Sequence, residues 1–274
     1  MGRLTDWAFY GLLALAILIW ALDRREEVYT PPPPPEPDEV EGALLGPITP
    51  FDPAITLNAP DIPFQPASGT AFSVAGEGRW VTARHVVEGC RKPALMVGGG
   101  RAVAASVRLA PRADVAVLIT EGGPDPLAVV TTPELRKGQR GFHAGYPQGH
   151  AGEVTSRLLG RETFRIRGRG QRDEPVLAWA EVGRTAGLKG TLSGLSGAPV
   201  LDRQGRVLGV TIAEAPRRGR IYTTAPDTFG PAVRGVPDRD ARPLEEPVTL
   251  ANYGRVADAL RRDLRIARVV CLSA

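Results

Sequence analysis

Between Gly69 and Ala225 the chain is a succession of short apolar runs broken by glycine, proline and polar turns. Helical periodicity is scarce there, and Val, Ala, Leu and Ile fill the runs. Strands are predicted at Gly69–Val74, Arg79–Thr82, Ala94–Val97, Val103–Leu109, Val115–Thr120, Gly141–Tyr146, Gly152–Leu159, Arg161–Arg167, Pro175–Ala180, Ala198–Asp202, Val207–Ala213 and Arg220–Ala225. Gly98-Gly99-Gly100 and Asp202-Arg203-Gln204-Gly205 have the make-up of hairpin turns. About a dozen strands at this spacing predict an all-β sandwich or barrels.

Three stretches depart from that pattern. Trp7 to Leu22 is uncharged and almost wholly apolar. As a helix it spans about 24 Å, somewhat short of the ~30 Å hydrocarbon core. Trp7 and Tyr10 near one end and Trp20 near the other have the placement of interface anchors. A cleaved signal peptide is the rival reading. No small-x-small site follows the run, because Asp23-Arg24-Arg25-Glu26-Glu27 comes at once. Residues 1–27 are therefore expected to be an uncleaved transmembrane anchor. Arg3 precedes it while Arg24 and Arg25 follow it, so charge alone does not orient it.

Twelve prolines lie between Pro31 and Pro66. Each lacks an amide donor and has a fixed φ, so residues 28–68 are expected to be an extended linker that neither helix nor sheet can use. The folded domain is expected over residues 69–274. Pro226–Pro247 is a tail rich in Pro, Gly and Arg. In Leu250–Val270, Val256, Leu260, Leu264 and Ala267 share one helical face, which predicts a C-terminal amphipathic helix docked on the β domain.

The chain has 274 residues, 43% of them hydrophobic, enough for one sizeable core. The net charge is only +4. Arg165, Arg167, Arg169 and Arg172 read as a solvated hairpin face, since few aromatics interleave with them, and no nucleic-acid partner is expected. Two cysteines, Cys90 and Cys271, are either buried free thiols or one disulfide tying the tail to the first half of the domain. The disulfide requires an oxidising compartment.

The candidate chemistry lies in three segments, each at the edge of an apolar run. They are Thr82-Ala83-Arg84-His85-Val86-Val87, Ala113-Asp114-Val115-Ala116-Val117-Leu118 and Gly194-Leu195-Ser196-Gly197-Ala198-Pro199-Val200. A serine hydroxyl is a weak nucleophile until a base takes its proton. An imidazole titrates near neutrality and suits that task, and a buried carboxylate fixes its tautomer. His85, Asp114 and Ser196 supply these groups in chain order. Gly194 can adopt backbone angles closed to other residues, so its amide and that of Ser196 can face one oxyanion hole. Taken singly, each has a plainer reading: a half-buried histidine, a turn-capping aspartate, a turn serine. His143 and His150, around Gly145-Tyr146-Pro147-Gln148-Gly149, read as loop residues.

These segments resemble the trypsin-like serine peptidases, most closely the bacterial HtrA/Deg branch. Gly69-Thr70-Ala71-Phe72 leading to Trp80–Val87 is similar to that branch's histidine segment, and Ala113–Leu118 to its aspartate strand. Gly145–Gly149 followed by Val154-Thr155-Ser156 is similar to the turn opening its second barrel. Gly194–Val200 with Gly205–Val210 is similar to its serine segment. The resemblance covers about residues 69–225. It implies two six-stranded antiparallel β-barrels of the chymotrypsin-like kind, with the triad between them. It makes His85 the general base, Asp114 its orienter, Ser196 the nucleophile and Gly194 part of the oxyanion hole. No metal or organic cofactor is implied. The chain stops too soon for the PDZ module of many HtrA members.

Two departures matter. Leu195 stands where the family usually has Asp or Asn, and Ala198 where it usually has Gly. Leu195 cannot pair with an ammonium, so activation by a newly cut N-terminus is not expected. By resemblance the substrate pocket is walled by Gly190–Gly194, with Gly190, Thr191 and Ser193 as its contact residues, and by Thr211, Ile212, Ala213 and Glu214. Gly190 rather than an acid stands at the pocket floor, so no strict preference for Arg or Lys is expected. The resemblance, taken with the anchor expected in residues 1–27, points to a membrane-anchored serine endopeptidase acting on protein or peptide substrates outside the cytoplasm, on the periplasmic or extracellular side. The alternative is an inactive scaffold that binds unfolded or partner proteins. An esterase using the same triad is disfavoured by the His-Asp-Ser order.

Overall fold

The computed structural model describes residues 41–59, 68–168, 171–234, 241 and 244–272. The anchor expected in residues 1–27 and much of the linker lie outside the described residues. Among the described residues, fourteen strands, β1 to β14 in chain order, form two sheets.

The first sheet has the order β5-β4-β14-β2-β3-β7-β6. Its strands are β2 (Gly69–Ala75), β3 (Arg79–Thr82), β4 (Pro93–Met96), β5 (Ala102–Ala104), β6 (Ser106–Leu109), β7 (Ala116–Ile119) and β14 (Ile266–Cys271). β5 and β6 occupy opposite edges, yet only Ala105 separates them in the chain. That stretch passes from pairing with β4 to pairing with β7, which curls the sheet on itself. β2 is buried along its whole length.

The second sheet has the order β1-β9-β10-β13-β12-β11-β8, and β8 also pairs with β9. Its strands are β1 (Ala54–Ala59), β8 (Arg140–Gly145), β9 (Gly152–Gly168), β10 (Arg172–Arg184), β11 (Pro199–Leu201), β12 (Val207–Ala215) and β13 (Arg220–Thr224). The β8–β9 pairing closes six strands into a ring, with β1 added outside β9. This mostly-β architecture of two sheets is chymotrypsin-like.

The chain departs from expectation at five places. The single strand expected at Val103–Leu109 is divided at Ala105 into β5 and β6, which pair with different neighbours. Ala54–Ala59, inside the proline-rich stretch, is a strand running parallel to β9, from Ala54 opposite Thr163 to Ala59 opposite Gly168. Between Pro53 and Pro60 that segment keeps its amide donors, so a sheet edge accepts it. The two strands expected at Gly152–Leu159 and Arg161–Arg167 are one, because Gly160 stays in the ladder opposite Ala178.

The C-terminal helix ends at Arg262 rather than running to Val270. Leu264 takes a left-handed φ of 58° and turns the chain, and β14 then inserts between β2 and β4. Lastly, the tail from Pro226 opens as a helix whose Phe229 is fully buried against Phe72.

The helices are α1 (Arg84–Val87), α2 (Pro226–Val233) and α3 (Tyr253–Arg262). α3 buries Val256, Ala257 and Leu260. Cys90, just after α1, is disulfide-bonded to Cys271 at the end of β14, with the Cα atoms 5.7 Å apart. The histidine segment and the last strand of the first sheet are thus tied covalently.

Candidate active site

His85 lies on the single turn α1, held down by its buried neighbours Val86 and Val87. Its own side chain is 44% exposed. Asp114 sits on the bend before β7 between buried Ala113 and Val115. One Asp114 carboxylate oxygen pairs with His85 Nδ1 at 2.6 Å, and the other accepts the His85 backbone N–H at 2.9 Å. Two bonds to one residue fix both the ring's orientation and the turn that carries it.

Desolvation disfavours the imidazolium, but the Asp114 charge and hydrogen bond outweigh it and hold the His85 pKa above its ordinary 6.5. Burial alone would raise the Asp114 carboxyl. Attraction to His85 and the hydrogen bonds from its ring and amide bring it below the usual 3.8.

Behind Asp114 stands a residue that the sequence pattern did not single out. Glu174 of β10 is fully buried. One of its oxygens accepts the Asp114 backbone N–H at 2.8 Å, and the other accepts Arg172 Nε at 3.0 Å. Burial pushes the Glu174 carboxyl up, and the Asp114 charge pushes the same way against Arg172 and the Asp114 amide. Arg172, expected on a solvated face, has a side chain only 16% exposed and ion-paired here. No periodicity marks Glu174, since it lies at the polar start of an apolar run.

Ser196 lies on the loop between β10 and β11. Its carbonyl accepts the Thr70 backbone N–H at 2.8 Å. A Cβ built on Gly69 would lie 2.6 Å from Val86 Cγ1 and 2.9 Å from the Ser196 carbonyl oxygen, so Gly69 separates the Ser196 backbone from the neighbour of His85 by one α-carbon. Gly197 packs equally tightly, with its missing Cβ 3.0 Å from the Ala83 nitrogen. The three segments are therefore brought together. Among the described residues, the hydrogen bond of the His85 ring runs to Asp114.

The amides of Gly194 and Ser196 donate to no acceptor among the described residues, although Leu195, Gly197 and Ala198 on the same loop all do. Gly194 has a φ of +96°, and a Cβ there would meet the Tyr146 carbonyl at 2.5 Å. Two unpaired amides on one tight loop make a ready cradle for a developing oxyanion. Leu195 between them is 1% exposed and packs in the core of the second sheet.

A small open cavity adjoins Ser196, lined by Leu192, Ser193, Leu195, Thr211, Ala213, Glu214 and Ile221. Of the expected pocket residues, Ser193, Thr211, Ala213 and Glu214 line it. Ile212 instead faces the main core, because alternate strand residues point to opposite faces. Gly190 and Thr191 form the exposed outer part of the loop rather than the lining. Leu192, within the expected Gly190–Gly194 wall, lines it too, and Leu195 and Ile221 line it without having been expected. Glu214 does not point its carboxylate free into the cavity. It accepts the Leu192 amide at 2.8 and 2.9 Å and the Thr191 hydroxyl.

The reading of His143 as a loop residue is corrected. It lies in β8, fully buried, with Thr211 Oγ1 at 3.0 Å, Ser156 Oγ at 2.8 Å and the Trp179 ring edge-on. Desolvation pushes its pKa down to about 3, so it is a neutral, satisfied core histidine. His150 follows the turn Pro147–Gly149 as an exposed bend.

Residues 69–210 match the trypsin-like peptidase domain. Over 204 residues the chain is 29% identical to the uncharacterized protein y4bJ of Sinorhizobium fredii, a stretch that is 68% of this chain and 29% of y4bJ. The chain thus spans less than a third of that relative's length. An inactive form of Rv3671c from M. tuberculosis H37Rv has the same fold, with a TM-score of 0.50 at 22% identity over 61% of this chain and 80% of that one. A second structure, of the Rv3671c protease in an inactive form, gives a TM-score of 0.50 at 23% identity over 61% and 83%.

Proposed function

The chain belongs to the trypsin-like peptidase family, and from that premise we propose that it is a serine endopeptidase anchored in a membrane by its N-terminal segment. In this reading Ser196 attacks the scissile carbonyl and His85 takes its proton. Asp114 steadies the imidazolium, and the amides of Gly194 and Ser196 receive the oxyanion. His85 then returns the proton to the leaving amine, and water repeats the sequence on the acyl-enzyme. In resting sites the bond from nucleophile to base is commonly long and tightens only when substrate binds.

The observation that carries the reading is the Ser196 loop itself. It offers two unclaimed amides beside a histidine that a buried carboxylate already grips. Substrates are proteins or peptides, cleaved after small or medium apolar residues. The domain acts on the periplasmic or extracellular side, where the Cys90–Cys271 disulfide persists.

The test uses the full-length chain. A fluorophosphonate probe should label it, and Ser196→Ala and His85→Ala should each abolish labelling. A folded but unlabelled parent would instead make the molecule a binding scaffold. Fractionation should place the chain in the membrane, with the domain open to added protease only from the outer side.

A further inference from the structure

In this fold the loop bearing the nucleophile must be held rigid, and Leu195 removes the acidic side chain through which an ammonium could hold it. The loop is nevertheless pinned, and the pins converge on one residue. Gln148 Nε2 donates to the Lys189 carbonyl at 2.6 Å and to the Thr191 carbonyl at 2.8 Å. The Gln148 backbone N–H donates to the Ser193 carbonyl at 2.5 Å. To do this Gln148 adopts φ 53° and ψ 22°, a left-handed conformation that suits glycine.

The backbone bond orients the peptide that carries the Gly194 amide, and the two side-chain bonds hold the loop within its reach. The peptide joining Ser193 to Gly194 is trans, so its C=O and N–H point in opposite directions. With the Ser193 carbonyl held by Gln148, the Gly194 N–H faces away from Gln148. Were that peptide to turn over, a carbonyl oxygen would replace the donor. The Gln148 turn is itself braced. The Thr70 hydroxyl accepts the Tyr146 amide at 3.0 Å and donates to the Gly194 carbonyl at 2.9 Å. Arg261 of α3 donates to the Gly145 carbonyl at 3.3 Å.

We infer that Gln148 is a positioning residue that latches the oxyanion loop, its strained backbone orienting the Ser193–Gly194 peptide and its side-chain amide clasping Lys189 and Thr191. The inference rests on the protease reading. It gives this chain an intramolecular latch that needs no cut N-terminus. A glutamine donates to two carbonyls at once through a single NH₂ group, which few side chains of this length can do.

Two substitutions separate latch from scaffold. Gln148→Met keeps the length of the side chain and removes the donors. Gln148→Gly removes the side-chain donors, keeps the backbone N–H and relieves the left-handed backbone. The full-length parent and both variants are compared in thermal unfolding, in fluorophosphonate labelling rate, and in kcat and KM for p-nitrophenyl acetate. Expected are a melting temperature for Gln148→Gly at or above the parent's and labelling slowed about tenfold or more in both variants, with the loss in kcat rather than KM. Gln148→Lys, which restores a donor, should recover part of the rate. Parent-like labelling in either Met or Gly variant of a reactive parent overturns the latch alone. An unreactive parent overturns the protease reading and the latch with it.

Discussion

Asp114 grips His85 twice, through Nδ1 at 2.6 Å and through the backbone N–H at 2.9 Å. The first bond sets the charge balance of the ring, and the second sets where the ring sits. Because the His85 pKa lies above 6.5, the base becomes neutral only above that value, and the acid limb of kcat/KM should fall above pH 6.5. Asp114→Asn should move that limb down and lower kcat by about 10⁴-fold.

The sign for stability follows separately. A raised histidine pKa adds stability that is complete below 6.5 and lost as pH rises through the folded value. A lowered aspartate pKa adds stability that is complete above 3.8 and lost as pH falls through its folded value. The pair is therefore at full strength between about pH 3.8 and 6.5. Melting curves of the parent and Asp114→Asn across pH should differ most inside that window.

The buried carboxylate of Glu174 makes a second, oppositely signed pair of predictions. Glu174 raises the His85 pKa and Arg172 lowers it. Glu174→Gln should thus shift the acid limb downward, while Arg172→Gln shifts it upward. A merely structural contribution would lower activity in both without moving the two limbs apart. Glu174→Ala also strips the Asp114 amide of its acceptor, which should cost about 1–3 kcal/mol in denaturant unfolding.

Much of this site was legible because strand edges announce themselves. The run Arg79–Thr82 was read to the residue, and β2, β7 and β13 to within two. What escaped was decided by tertiary partners. Val256, Leu260, Leu264 and Ala267 keep helical spacing across the end of α3, so periodicity carried the predicted helix through a chain reversal at Leu264. The β-branched run beyond it is a strand because β2 and β4 leave a slot for it. His143 looked like a loop residue beside glycines, whereas Thr211 and Ser156 satisfy it from across the sheet. Glu174 belongs to no motif, and Gln148 lies in the Gly145–Gly149 turn without standing out there, since each acts through the backbone of a residue far away in sequence.

Gly197 offers a harsh test of the contact between the two sheets. Its φ is +91°, and a Cβ would lie 2.0 Å from the Thr70 carbonyl oxygen and 2.3 Å from Thr82 Oγ1. Those neighbours are backbone and a hydroxyl already bonded to it, so neither can yield cheaply. Gly197→Ala should push Ser196 away from α1 and abolish fluorophosphonate labelling. It should also destabilise the fold by several kcal/mol, on the order of a backbone strain and a clash combined. A labelled, parent-stable Gly197→Ala protein would show that the packing is looser than described.

The disulfide closes a loop of 181 residues in sequence separation. In the chain-entropy picture such a closure is worth about 5 kcal/mol, with 2–4 more usual in practice. Reduction, or Cys90→Ala with Cys271→Ala, should lower the melting temperature and loosen β14 from β4, whose partnership runs to Cys271 opposite Pro93. A thiol count in denaturant without reductant should read near zero, and two titratable thiols would contradict the bond.

Substrate choice turns on Glu214. An acid beside a substrate pocket would ordinarily attract Lys or Arg, yet this carboxylate is engaged by the Leu192 amide and the Thr191 hydroxyl. Besides Ser193, Ser196 and Thr211, the remaining lining of Leu192, Leu195, Ala213 and Ile221 is apolar and encloses little space. Peptide libraries should therefore be cut after Ala-, Val- or Leu-sized residues, with Lys and Arg poorly used. Glu214→Ala should free the Thr191–Leu192 wall, widen the pocket and erode that preference by about 10-fold or more, the scale on which a methylene-sized misfit discriminates. Glu214→Gln keeps an acceptor for the wall and should retain more of the preference. If Glu214→Ala instead abolished an existing preference for basic residues, the carboxylate would be reading substrate directly, and its bonds to the loop would be those of the empty pocket alone.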